Sequence, residues 1–91
     1  MSRDPNQPAE QPLGTARRGF VGILQHLDPS KSASSLTPDE LERQLIEMGF
    51  VEGARIEILH EGAIGLDPIA VRVDNNTIAL RRSEAMAIIV R

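Results

Sequence analysis

From Gly53 to the C-terminus the apolar residues recur at every second position, in short runs broken by polar turns. Ile56 and Ile58 alternate with Arg55 and Glu57. Ile69, Val71 and Val73 alternate with Ala70, Arg72 and Asp74, and Ile78 and Leu80 with Thr77, Ala79 and Arg81. Such alternation belongs to strands with one buried face and one wet face. Asn75-Asn76 should join the second and third runs as a tight hairpin, because asparagine tolerates the positive φ of a primed turn. Arg82–Met86 reads as a single helical turn and Ile88–Val90 as a closing strand, while Gly19–Leu27 supplies an earlier one. Short strands with polar outer faces find neighbours for all their edges by wrapping, which predicts a small five-stranded barrel.

One helix interrupts this pattern, after the first strand. Thr37 is placed as its N-cap, Pro38 occupies the first helical position, and Glu40 completes a Thr-x-x-Glu capping box. Leu36 and Leu41 flank the cap as a hydrophobic staple, and Leu41, Leu45 and Met48 form a single apolar stripe. Gly49 followed by Phe50 is the signature of a left-handed stop in which the apolar residue folds back on the helix. The fold class is therefore mainly β with one α-helix.

Residues 1–16 carry too little apolar surface to offset the entropy of ordering and are expected to form a disordered tail, leaving residues 17–91 as the domain. With aromatics at 2% of the chain, only Phe20 and Phe50, the core must be aliphatic. The absence of cysteine removes disulfides and thiolate metal sites. No segment reaches the roughly 18 apolar residues of a membrane span, so a cytoplasmic protein without direct membrane insertion is expected. A net charge of −3, with basic residues scattered along the chain, argues against a nucleic-acid partner. The pairs Arg17-Arg18 and Arg81-Arg82 read as solvated edges.

The residue types that carry chemistry are sparse. His26 and His60 lie far apart, and neither has a second ligand at helical spacing, so no metal site is expected. The serines gather in the Ser30–Ser35 loop with no adjacent histidine to activate them. The glycines form neither a dinucleotide fingerprint nor a phosphate loop, so no cofactor is expected. Nothing points to an enzyme.

Two places carry apolar side chains where polar ones are the rule. The connection Glu61–Pro68 holds Ile64 and Leu66, which either tuck over the open end of the barrel or form an apolar tip for a partner. Ile46 lies off the buried stripe of the helix, as flank packing or as contact surface. Ile46, Ile64 and Leu66 are thus the candidate partner-binding residues.

Taken in order, these segments resemble a known family. The helix end Leu45-Ile46-Glu47-Met48-Gly49-Phe50 runs into Gly53-Ala54-Arg55-Ile56. Gly65-Leu66-Asp67-Pro68-Ile69 follows, and then Ala79-Leu80-Arg81-Arg82-Ser83-Glu84-Ala85. The sequence is similar in these features, from about Gly19 to Arg91, to the ferrous-iron transport protein A (FeoA) family. It departs from that pattern in placing Leu66 between Gly65 and Asp67 and in a longer Asp28–Ser35 loop. The resemblance implies an SH3-like barrel and a non-catalytic accessory role in bacterial ferrous iron uptake. It implies as partner the cytosolic side of a FeoB-type membrane GTPase transporter, and it brings no catalytic or metal-binding residues. The rival readings are a general protein-interaction module and the SH3-like regulatory domain of a metal-dependent repressor. A repressor would need a DNA-binding unit ahead of Phe20, and a reader of proline-rich peptides would need more aromatics than two.

Overall fold

The computed structural model describes residues 9–91, so the first half of the expected tail lies outside the described residues. The elements are β1 (Gln11–Pro12), β2 (Val21–Leu27), α1 (Pro38–Glu47), β3 (Arg55–Ile64), β4 (Asp67–Val73), β5 (Asn76–Leu80), α2 (Arg82–Ala85) and β6 (Ile88–Val90). Short 3₁₀ turns at Leu13–Thr15 and Pro29–Lys31 sit in the connections. The strands form a single antiparallel sheet in the order β1-β6-β2-β3-β4-β5. No pairing joins β5 to β1 among the described residues, so the barrel is left open at that seam.

Expectation and structure differ at the N-terminal boundary. Order begins before residue 17: Gln11 and Pro12 pair with Val90 and Ile89, and Leu13 is fully buried. One large apolar side chain with a place in the core is enough to anchor this segment. The strand after it is consequently the second of six, and α1 follows the second strand rather than the first.

The helix forms as its caps dictate. Thr37 Oγ1 accepts from the Glu40 N–H at 3.3 Å, which satisfies one of the unpaired donors of the first turn. At the other end Gly49 takes φ 102°, its N–H donates to Ile46 O, and the Phe50 N–H donates to Leu45 O at 3.0 Å. These are the two bonds of a Schellman motif. Phe50 is completely buried, in the same core cluster as Leu41 and Leu45 of the helix and Leu24, Ile56 and Val71 of the sheet.

Register decides which side chains enter the core. Ile56, Ile58, Ile69, Val71, Val73 and Leu80 face inward as the alternation requires. The β4–β5 turn is one residue earlier than expected, since Val73 pairs with Asn76 and Asp74 takes the positive φ of 52°. Aspartate accepts the left-handed region nearly as well as asparagine.

The larger departure is in β3, which runs on to Ile64 through most of the segment read as a connection. Only Gly65 and Leu66 turn the chain, with φ 67° and 60°, as a primed two-residue hairpin requires. Between Ile58, paired with Val71, and His60, paired with Ala70, Leu59 has no partner. This bulge reverses the alternation, so that Glu61 pairs with the buried Ile69 and falls on the core side of the sheet.

Gly49→Val is expected to destabilise the fold by about 2 kcal/mol, because a β-branched residue resists that φ. Thermal unfolding measures it. An unchanged midpoint would show that the left-handed stop is dispensable.

Candidate functional site

At the far end of the β3–β4 hairpin the inward turn of Glu61 creates the one concentrated polar cluster of the described residues. Glu61 Oε2 accepts from Arg82 Nη2 at 2.7 Å and from Arg17 Nε at 2.8 Å. The Arg82 guanidinium also donates from Nε to Leu66 O at 2.8 Å, and from Nη1 to Ala16 O at 2.6 Å and Gly14 O at 3.1 Å. Its own backbone N–H donates to Asp67 Oδ1 at 2.9 Å. Arg82 follows β5, and Gly14 and Ala16 follow β1, so one side chain ties together the two edges that the sheet leaves unpaired. Close approach makes this possible: a Cβ on Gly14 would run into the Arg82 carbonyl oxygen.

This corrects the reading of Arg81-Arg82 as a solvated edge. Arg81 is exposed, but the Arg82 side chain retains only 18% of its exposure. The Arg17 hydrogen bond, more than the Arg17 and Arg82 charges, holds the Glu61 carboxyl below the usual glutamate range.

The clasp holds the hairpin tip from beneath, through Leu66 O and Asp67. Above it Ile64 is 89% exposed and Leu66 38% exposed. Neither side chain is tucked away over the open end of the barrel. Leu66 adopts the left-handed conformation without being glycine, at a steric cost of about 1–2 kcal/mol. Beside the tip lies a cleft of about 560 Å³, with Ile64, Pro68, Leu80, Arg81 and Glu84 among its walls. Ile46 is 47% exposed on α1 and lines a different cleft, with His26, Phe50 and Val51. The structure thus groups Ile64 with Leu66 and leaves Ile46 apart.

No group of three or more His, Asp or Glu side chains comes together to hold a metal ion among the described residues. His26 faces Glu10 at 3.7 Å, both well exposed. The loop serines serve local structure, Ser30 bonding to Asp28 and Ser32 to Ser83 O. Among the described residues no helix is long and apolar enough to cross a membrane.

Comparison with known proteins places this arrangement. The sequence profile of the FeoA domain matches residues 11–91. A crystal structure of an iron uptake regulatory protein (FeoA) is 25% identical, with a TM-score of 0.71 over 91% of this chain and 97% of that one. The Stenotrophomonas maltophilia FeoA complexed with zinc, described as a prokaryotic SH3 domain protein, is 26% identical, with a TM-score of 0.69 over 87% of each chain. A FeoA-like protein from Clostridium acetobutylicum gives 26% and 0.73, over 93% of this chain and 88% of that one. A manganese-dependent transcriptional repressor shares the fold at 24% identity and TM-score 0.71, over 92% of this chain but 42% of its own. None of the proteins with curated descriptions matches.

Arg82→Ala should destabilise the protein by about 2–3 kcal/mol, since it removes the donor of three backbone carbonyls and leaves the Glu61 carboxylate with Arg17 alone. Arg82→Lys should recover less than half of that loss, because an ammonium cannot reproduce the planar fork. A wild-type melting temperature in Arg82→Ala would remove the clasp from the account. The pH dependence has a definite sign. A carboxyl held low in the folded state stabilises above its unfolded pKa, and that stability is lost as pH falls through the folded one. The gap in melting temperature between wild type and Glu61→Gln should be full above about pH 5 and shrink steadily as pH falls below the ordinary glutamate value of about 4.3.

Proposed function

The chain belongs to the FeoA domain family, and from that premise we propose that it is a non-catalytic accessory protein of ferrous iron uptake which binds the cytosolic side of a FeoB-type GTPase transporter. The observation that carries the mode of binding is the tip of the β3–β4 hairpin. Ile64 and Leu66 stand exposed on a turn of two residues, above a clasp that fixes its base. An apolar pair held in this way loses little conformational freedom on docking, and anchors of this size contribute on the order of 1–2 kcal/mol each when buried by a partner. A non-catalytic role fits the site. Its charged groups are spent on one another and on backbone carbonyls.

The iron in this reading is the transporter's cargo. The domain acts by contact, and the scattered histidines and solvated acids have no part in it. The fold shared with a manganese-dependent repressor supports the second reading, a regulatory SH3-like module, at the level of architecture alone. Ile46, remote from the tip, is the secondary contact candidate on the α1 face.

The double variant Ile64→Ser with Leu66→Gly separates contact from folding. Glycine removes the strain at φ 60°, so the variant should melt at or above the wild-type temperature. It should also fail to retain the detergent-solubilised transporter in a pull-down and should impair iron uptake in cells. A folded variant with undiminished capture would sink the tip as the contact, and loss of capture in Ile46→Ser alone would move it to the helix.

A further inference from the structure

The seam of the sheet leaves a second surface open. β5 pairs with β4 on one side and with no strand on the other among the described residues. The pair that closes a two-residue hairpin exchanges both hydrogen bonds, and bonded and non-bonded pairs then alternate. Val73 and Asn76 close this turn, so Thr77 and Ala79 fall in the non-bonded pairs. Their N–H and C=O groups therefore point away from β4, and both residues are exposed.

Strand edges of this kind are normally blunted by a charge, a proline or a bulge. From Asn76 to Leu80 there is none: the residues are Asn, Thr, Ile, Ala and Leu, and the β4–β5 register is unbroken. The cleft beside the hairpin tip runs along the C-terminal half of this edge, walled by Ala79, Leu80 and Arg81.

Charge selects the occupant. Arg81 lies on the outer face with Thr77 and Ala79, and Arg72 is the cross-strand partner of Thr77. Both arginines are exposed and neither forms an ion pair among the described residues. Glu57, the cross-strand partner of Arg72 on β3, bonds to Arg55 instead, and Glu84 accepts from the Arg81 backbone N–H. A second copy is disfavoured. Antiparallel pairing of two β5 edges about Ala79 would bring Arg81 of each beside Thr77, with Arg72 behind it, and like charges opposed across strands repel.

We propose that the free edge of β5 receives an extended acidic segment of a partner protein as an added strand. Thr77 and Ala79 supply its main-chain bonds, and two carboxylates four residues apart on one face meet Arg72 and Arg81. The inference is independent of which protein the hairpin tip meets.

The test uses the full chain, ¹⁵N-labelled, with the peptide Ser-Glu-Val-Thr-Val-Glu-Ser, whose five-residue core reads the same in either strand direction. Binding should shift the amide signals of Asn76–Arg81 and slow hydrogen exchange at Thr77 and Ala79. The counterpart with lysine in place of glutamate should bind at least tenfold more weakly. Arg81→Glu, which sets one negative charge against the positive Arg72, should remove that preference. Thr77→Pro, which removes an outward donor, should abolish binding while the melting temperature holds. The proposal is overturned by shifts mapping away from β5, by equal binding of both peptides, or by absence of binding at millimolar peptide. Concentration-dependent protection of Thr77 without peptide would overturn it in favour of a second copy.

Discussion

The guanidinium of Arg82 is the contact on which the rest of this architecture depends. A six-stranded sheet with unpaired β1 and β5 edges has no main-chain reason to stay wrapped. Arg82 supplies a side-chain reason, with Nη1 on Gly14 and Ala16, Nε on Leu66 and Nη2 on Glu61. Arginine suits this position better than any other residue, because its donors are fixed in one plane and stay charged at every relevant pH. The same group bridges the seam at one point and anchors the hairpin, so loosening one loosens the other.

The bulge at Leu59 makes the clasp possible. Without the extra residue, Glu61 would sit on the outer face, as Glu57 does, and Arg82 would face an aliphatic wall with its charge unmet. One inserted residue places a carboxylate where the barrel opens and leaves β3 long enough to carry Ile64 beyond the body of the domain. The bulge thus serves closure, and a second register shift, between Glu61 and Ile64, leads the strand into its turn.

What could be read from the sequence was local. The ends of α1 are set by Thr37, Pro38, Gly49 and Phe50, all within a few residues of the groups they satisfy, and structure and expectation agree there. The inward alternation of β4 and β5 was legible for the same reason. The clasp was not, because its partners lie 66 and 68 residues from Arg82 in sequence and an arginine pair on its own looks like surface. The order of Gln11–Thr15 was hidden in the same way, since Leu13 is a lone apolar residue whose partners are all distant. The extent of β3 was obscured by Gly62, Ala63 and Gly65, which weaken the strand signal although the chain continues as a strand through most of them. Ile64, Leu66 and Ile46 stood out as misplaced apolar residues, and all three are exposed. Their sequence context could not tell that two of them share a turn and the third stands on another face.

Leu66 is the residue at which folding and contact pull in different directions. At φ 60° glycine would serve the turn without strain, and a leucine there leaves apolar surface in water as well. Ile64, two residues before it, repeats the second of these faults in stronger form. Apolar exposure at both residues and a left-handed leucine, all within one turn, mark a place where something other than stability sets the residue. Burial of both side chains by a partner would offset the strain at Leu66, which makes the bound state the one in which this hairpin satisfies its own sequence.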